Sequence, residues 1–257
     1  MSGATSFNTS KCIVIHFGKD NPKYKYYIRN GNTLTELTES VCERDLGVYV
    51  DNQLKFDSHI LNKTKQARKV CGMINRTVSF KTKEIMVPLF KTLVRPVVEY
   101  AKAVWCPYKR KDINEIEKIQ RHFTRCIVGM RELDYSQRLR KLDLPSLEFR
   151  RVRGDMLECF EFVHNFYDPL TTNNLITHSA NTRPNPFKIT KQRALHNPYQ
   201  YFFTNRIVNL WNQLPSVVVN AKSINSFKNK IDKILSPIKF STKIDTINYK
   251  INDRNRT

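Results

Sequence analysis

Two clusters of like charge carry the chemistry that stands out. "KTKQARK" holds Lys63, Lys65, Arg68 and Lys69, and "FRRVRGD" holds Arg150, Arg151 and Arg153. Ammonium and guanidinium groups at such spacing offer donors and positive charge to oxyanions, above all to phosphates. The first set forms a basic stripe opposite an apolar one. The second opens a helix, where cations oppose the helix dipole and should have some use. For both, a merely solvated face is the alternative.

Nucleophilic and metal chemistry finds less support. Cys12, Cys42, Cys71, Cys106, Cys126 and Cys159 stand far apart, and no C-x-x-C pair occurs. The histidines make no H-x-x-x-H or H-E-x-x-H pair. The spacing gives no zinc signal, and the cysteines read as reduced core residues. No Asp-Asp dipeptide occurs anywhere. Trp105 and Trp211 read as core anchors, with base stacking as the alternative.

The balance of charge names the class of partner. Lys and Arg number 44 against 23 for Asp and Glu, a net charge of +21. A polyanion would relieve the self-repulsion this brings to a folded chain. The basic residues are spread along the whole chain rather than gathered in one arm, which favours nucleic acid over an anionic membrane. No apolar run approaches the ~20 residues of a membrane span. "MSGATSFNTSK" is too polar for a signal peptide, so an intracellular location, nuclear or cytoplasmic, is expected.

These residues need elements to position them. The first fifty residues read as β-rich. "KCIVIHFG" is a short strand ending at Gly18, and Asn30-Gly31 marks a hairpin. "DLGVYVD" reads as a third strand, with Gly47 at a bulge or close approach. From Asp57 the period becomes helical. A first helix, capped by Asp57 or Ser58, buries Ile60, Ala67, Cys71 and Ile74. A second runs from Thr82 through Ile85, Leu89, Leu93, Val97, Tyr100 and Val104, kinked at Pro88 and Pro96.

A third starts at an Asp112/Glu115 capping pair and stops at Gly129. It buries Ile113, Ile116, Ile119, Phe123 and Ile127 and exposes Lys118, Arg121, His122 and Arg125. "DYSQRLRKLDL" is a short helix, and Ser146 opens a longer one through Met156 and Val163. "YFFTNRIVNLWNQLP" reads as a helix ending at Pro215, and Ser223 caps the last one. The pattern predicts an α+β fold, mainly α. A small antiparallel sheet occupies 1–56 and a helical bundle 57–167. An irregular connection (168–197), C-terminal helices (198–235) and a frayed basic tail (236–257) follow.

"LVRPVVEYAKAVWCP", "IEKIQRHFTRCIVG", "YSQRLRKLDLPSLEFRRVRGDM" and "FFTNRIVNLWNQLPSVVVNAKSINSFKNKID" come in that order. Together they resemble the carboxy-terminal part of reverse transcriptases of non-LTR (LINE-type, jockey-like) retrotransposons. The likeness runs from about Thr9 to about Leu235. It implies that 57–167 is a thumb whose basic face follows the template–primer duplex. "FNTSKCIVIHFG" resembles motif D, with Lys11 where the family has a lysine near the active-site edge. "ERDLGVYVDNQLKFDSHI" resembles motif E, the primer grip, with Leu46, Gly47 and Val48 at its centre.

Polymerase chemistry in that family uses carboxylates that hold two Mg²⁺ ions about 4 Å apart. They come from an upstream strand and from an Asp-Asp turn before motif D, and this sequence carries neither. The resemblance therefore implies a truncated polymerase that binds RNA or DNA mainly through phosphates, with no catalytic residue and no cofactor of its own. The alternatives are a non-functional retroelement fossil, a fragment of a larger active RNA-directed DNA polymerase, or an enzyme completed in trans by a separate palm.

Overall fold

The structure is a computed structural model that describes residues 8–18, 20–168, 187–194, 197–241 and 244. The chain divides into two compact units, Met1–Asn62 and Lys63–Thr257.

The first unit holds three two-stranded ladders. β2 (Tyr27–Asn30) and β3 (Thr33–Glu36) form the expected antiparallel hairpin, with Asn30 paired to Thr33 and Gly31 at φ +60°. β5 (Cys42–Asp45) and β6 (Val48–Asp51) form a second one. "DLGVYVD" is therefore not a single strand. Asp45 closes β5, and Leu46 and Gly47 make a two-residue loop with φ +43° and +82°. Two positive φ angles are what a type I′ hairpin loop requires, so Gly47 serves a turn and not a bulge. β1 (Ile13–Val14) pairs with β4 (Thr38–Glu39) in parallel rather than antiparallel. The β2–β3 hairpin between them supplies the long connection a parallel pair needs.

A carboxylate closes this unit's last turn. Asp51 accepts the N–H groups of Gln53, Lys55 and Phe56. The chain then enters α1 (Asp57–Thr77), where His59 Nδ1 accepts the Tyr49 N–H at 3.1 Å. Among the described residues of this unit only Val48, His59 and Ile60 are buried.

The second unit is helical. The rest of α1 buries Ala67, Cys71 and Ile74 as expected. Next come α2 (Lys83–Leu89), a wide π turn (Phe90–Val94) and α3 (Arg95–Glu99), which form one broken helix. The Arg95 N–H reaches back five residues to the Phe90 carbonyl, and Thr92 Oγ1 donates to the Pro88 carbonyl at 2.9 Å. Pro96 has no N–H to give to the ordinary ladder, so the break lies where the prolines placed it.

The buried side of this helix differs from the expected one. Met86, Phe90, Val94 and Val98 are buried, whereas Leu93 is 43% exposed, Ile85, Tyr100 and Val104 are also exposed, and Leu89 and Val97 are half-buried. Two neighbouring rows are apolar in sequence, and periodicity cannot choose between them. Contact chooses: the Phe90 ring lies 5.0 Å from that of Phe123.

α4 (Lys102–Trp105) follows a left-handed Ala101, and Trp105 is buried with Nε1 donating to the Tyr100 carbonyl. α5 (Arg110–Arg125) starts two residues before the expected Asp112 cap. The Asp112 and Ile113 N–H groups both donate to the Lys109 carbonyl, which closes the first turn earlier. Asp112 then lies inside that first turn, where its charge suits the helix dipole. α6 (Tyr135–Leu142) has a full capping box between Asp134 and Gln137.

α7 (Leu147–Val163), capped by Ser146, is the centre of the core. Glu117 of α5 ties these helices together: its buried carboxylate accepts the Tyr135 hydroxyl and the N–H groups of Leu147 and Glu148.

The expected helix over 201–214 is three short ones, α8 (Asn197–Tyr201), α9 (Phe203–Arg206) and α10 (Val208–Asn212). Two of its asparagines hold other backbone. Asn205 accepts the Gln192 N–H and donates to the Tyr199 carbonyl, and Asn212 exchanges two bonds with Ile189. α11 (Ser216–Val219) and α12 (Ile224–Leu235) complete the core with Phe227 and Trp211 against Phe160 and its neighbours.

Of the expected irregular connection, 169–186 and 195–196 lie outside the described residues. Of the expected frayed tail, 242–243 and 245–257 lie outside them. The described part of that tail is packed: Lys239 pairs with Asp143, its carbonyl accepts the Ser146 N–H, and Ile244 is buried. No described helix is long and apolar enough to cross a membrane.

Candidate nucleic-acid interface

α5 carries Lys118, Arg121, His122 and Arg125, at spacings of three and four residues, on its exposed face. That face borders a groove of about 770 Å³ whose other walls are α1, the loop after α5, and α6. Arg68, Lys118, Arg121, Arg125, Arg131 and Arg138 all line it, and no carboxylate does. A second depression of about 600 Å³ shares His122, Arg125 and Arg131 and adds Lys81, so the basic surface runs on past the end of α5.

The walls are held by polar contacts between helices. Arg68 of α1 donates to Glu115 of α5 at 2.8 Å, and Asn75 Nδ2 donates to Cys126 Sγ at 3.6 Å. Glu115 also accepts Lys118. Arg138 is buried in the floor, where it donates to Thr124 Oγ1 and to the carbonyls of Leu133 and Arg121. Burial, and then the nearby charges of Arg125 and Arg121, hold its pKa below the ordinary arginine value. Among the described residues no carboxylate comes within ion-pair distance of Arg121, Arg125 or Arg131. Like charges three and four residues apart weaken a helix by a few tenths of a kcal/mol each. Their concentration around one concave surface makes it strongly positive.

The expected site residues are divided among several places. Arg68 lines the groove, while Lys65 and Lys69 are exposed on α1. Lys63 is half-buried with its Nζ 5.5 Å from the Tyr100 ring centre. Arg150 and Arg153 have structural partners: each makes a bidentate pair, Arg150 with Glu99 and Arg153 with Asp232. Arg151 is buried away from this groove. In the first unit, Lys11 is exposed at the end of a 3₁₀ turn (Thr9–Lys11). Leu46, Gly47 and Val48 form the β5–β6 loop and its exit, with Leu46 84% exposed.

Sequence reasoning missed Lys81, Arg131 and Arg138. Arg131 follows Gly129 in a loop, and Arg138 sits on the buried side of α6, so no basic stripe announces either.

The cysteines have the environments of core residues where they are buried. Burial pushes the Cys71 thiol up to about 12, and it raises Cys106 and Cys159 as well. Among the described residues no group of three or more His, Cys, Asp or Glu could hold a metal ion.

No known protein family matches the chain. One curated relative, an uncharacterized protein of Caenorhabditis elegans, is 25% identical over 126 residues, which cover 47% of this chain and 61% of the relative. No solved structure matches.

Proposed function

We propose that this chain binds RNA or DNA through phosphate contacts in the groove between α1, α5 and α6. We propose further that it is the template–primer-binding part of a non-LTR reverse transcriptase, without polymerase carboxylates of its own. One observation carries the binding reading: Arg121, Arg125 and Arg131 converge on one concave surface with no carboxylate partner among the described residues. The resemblance of residues 57–167 to the family's thumb supports the second part. Binding of this kind positions a backbone and carries little sequence information.

The test is a salt titration of duplex DNA and of an RNA–DNA hybrid. Lys81, Lys118, Arg121, Arg125 and Arg131 are five cations along the surface. If each meets one phosphate, log K falls against log salt with a slope of about −4.5. Arg121→Gln with Arg125→Gln reduces that slope by about 2. A slope near zero, or a double variant with unchanged binding, means the groove is not the interface.

A further inference from the structure

A further cavity lies against α7. It has a volume of about 490 Å³, within the range of small-molecule sites. Its walls come from the loop after α4, from α7, and from α8 to α10.

Its charged groups are nearly all paired, and Glu148, Arg151 and Asp155 among them are buried. Arg110 donates to Glu148 Oε1 at 2.7 Å, and Arg206 makes a bidentate pair with Asp155 at 2.8 and 3.0 Å. Arg151 is the exception. It lies on α7 three residues after Glu148 and four before Asp155, both of which face other arginines. Arg151 is 4% exposed, its Nη2 has no hydrogen-bond partner, and no carboxylate pairs with it among the described residues. Glu148 is 5% exposed, and its Oε2 is likewise without a donor. Buried charged atoms without partners are costly and rare in folded proteins. Here one donor and one acceptor, three residues apart on one helix, line the same cavity.

We propose that this cavity is a nucleotide site. Arg151 donates to a phosphate oxygen, and Glu148 Oε2 accepts a sugar hydroxyl or a ring N–H. Three features select a nucleotide. Three arginines against Glu148 and Asp155 leave one positive charge, which matches an oxyanion. The orphan acceptor requires a donor on the same ligand. Tyr108 and Tyr201 stack at 4.2 Å and 4° in the lining, a flat aromatic wall suited to a base. The site stands independently of the α5 groove, which shares none of these residues.

The experiment is thermal denaturation of the full chain at 0.3 M salt, which weakens groove binding. AMP, GMP, CMP and UMP are added at millimolar concentration beside inorganic phosphate and sodium acetate. At least one nucleotide raises the wild-type melting temperature, and phosphate and acetate do so less. Arg151→Met binds that nucleotide roughly tenfold or more weakly. Because it removes an unpaired buried charge, the same variant melts higher than wild type without ligand. Tyr108→Ala weakens the nucleotide and leaves Arg151 in place.

A single-stranded oligonucleotide that competes marks the natural ligand as a strand's nucleotide unit, and failure to compete marks it as a free nucleotide; either supports the site. A lower melting point for Arg151→Met gives the guanidinium a structural role and overturns the proposal. So does the absence of any nucleotide shift, or equal shifts from phosphate or acetate. None of these outcomes changes the salt slope expected of the groove, so the two readings fail separately.

Discussion

Glu115 governs how much of the groove's charge is available. Its carboxylate takes Lys118 and Arg68, and hydrogen bonds from these two hold its pKa below the usual carboxylate range. A depressed pKa keeps the group ionised through the ordinary carboxylate range, so between pH 5 and 8 its charge is constant. Glu115→Gln releases both cations to a phosphate backbone. Fluorescence anisotropy at low salt should then show binding roughly two- to fivefold tighter, with a salt slope steeper by about 1. The gap between variant and wild type should not change from pH 5 to 8. Weaker binding by the variant would show that Glu115 matters for holding α1 against α5 rather than for charge.

Another single position shows side-chain traffic across helices. Gly154 lies inside α7, where glycine costs about 1 kcal/mol relative to alanine. A methyl group there would collide with the Lys102 amine. Lys102 Nζ lies along α7 and donates to the Arg150 carbonyl, and burial lowers its pKa. The glycine is the space this lysine needs.

At the scale of elements, the corner before α4 is the place to test. Ala101 has φ +50° and ψ 31°, a left-handed conformation that costs an L-residue roughly 1–2 kcal/mol. Glycine adopts it freely, but returns part of the gain through its freedom in the unfolded chain. Ala101→Gly should therefore stabilise the protein by about 0.5–1 kcal/mol in urea denaturation. A loss of stability would mean that the Ala101 methyl packs more usefully than its backbone suffers.

What the sequence made legible follows from how local each signal is. The hairpin at Asn30-Gly31, the buried face of α1, the Phe123 face of α5 and the Ser146 and Ser223 caps all rest on residues within a few positions of one another. So does the basic face Lys118–Arg121–His122–Arg125. The groove was only half legible, because Arg131 and Arg138 reach it through a loop and a buried helix face. The pairing of Arg150 and Arg153 was hidden for a related reason: their partners, Glu99 and Asp232, lie 51 and 79 residues away in sequence. The helix over 201–214 failed because asparagine side chains traded helical continuity for tertiary hydrogen bonds.

At the scale of the whole molecule, the two units differ in what they bury. The second has a large continuous core around Phe160, Trp211 and Phe227, and it includes the C-terminal helices expected to form a separate region. The first buries Val48, His59 and Ile60 while Ile13, Phe17, Tyr24 and Leu34 are exposed. Its β1–β4 ladder spans two residues per strand. Hydrogen exchange should thus be faster at residues 12–17 than in α5 around Phe123, since a short ladder opens locally at lower cost. Equal or slower exchange at 12–17 would mean that these strands are held by a fuller sheet. The net charge of +21 adds a uniform self-repulsion that salt screens, whereas core packing is insensitive to it.

The wide turn at Phe90–Val94 solves a problem of angular bookkeeping. An α-helix advances about 100° per residue, so residues four apart drift by about 40°, and after three such steps a row has wandered about 120° round the cylinder. Met86, Phe90, Val94 and Val98 are spaced by four throughout, yet all are buried. One turn that closes over five residues slows the rotation and brings the row back under the core. The two prolines do more than interrupt a helix: between them they let a strict four-residue repeat act as a straight seam.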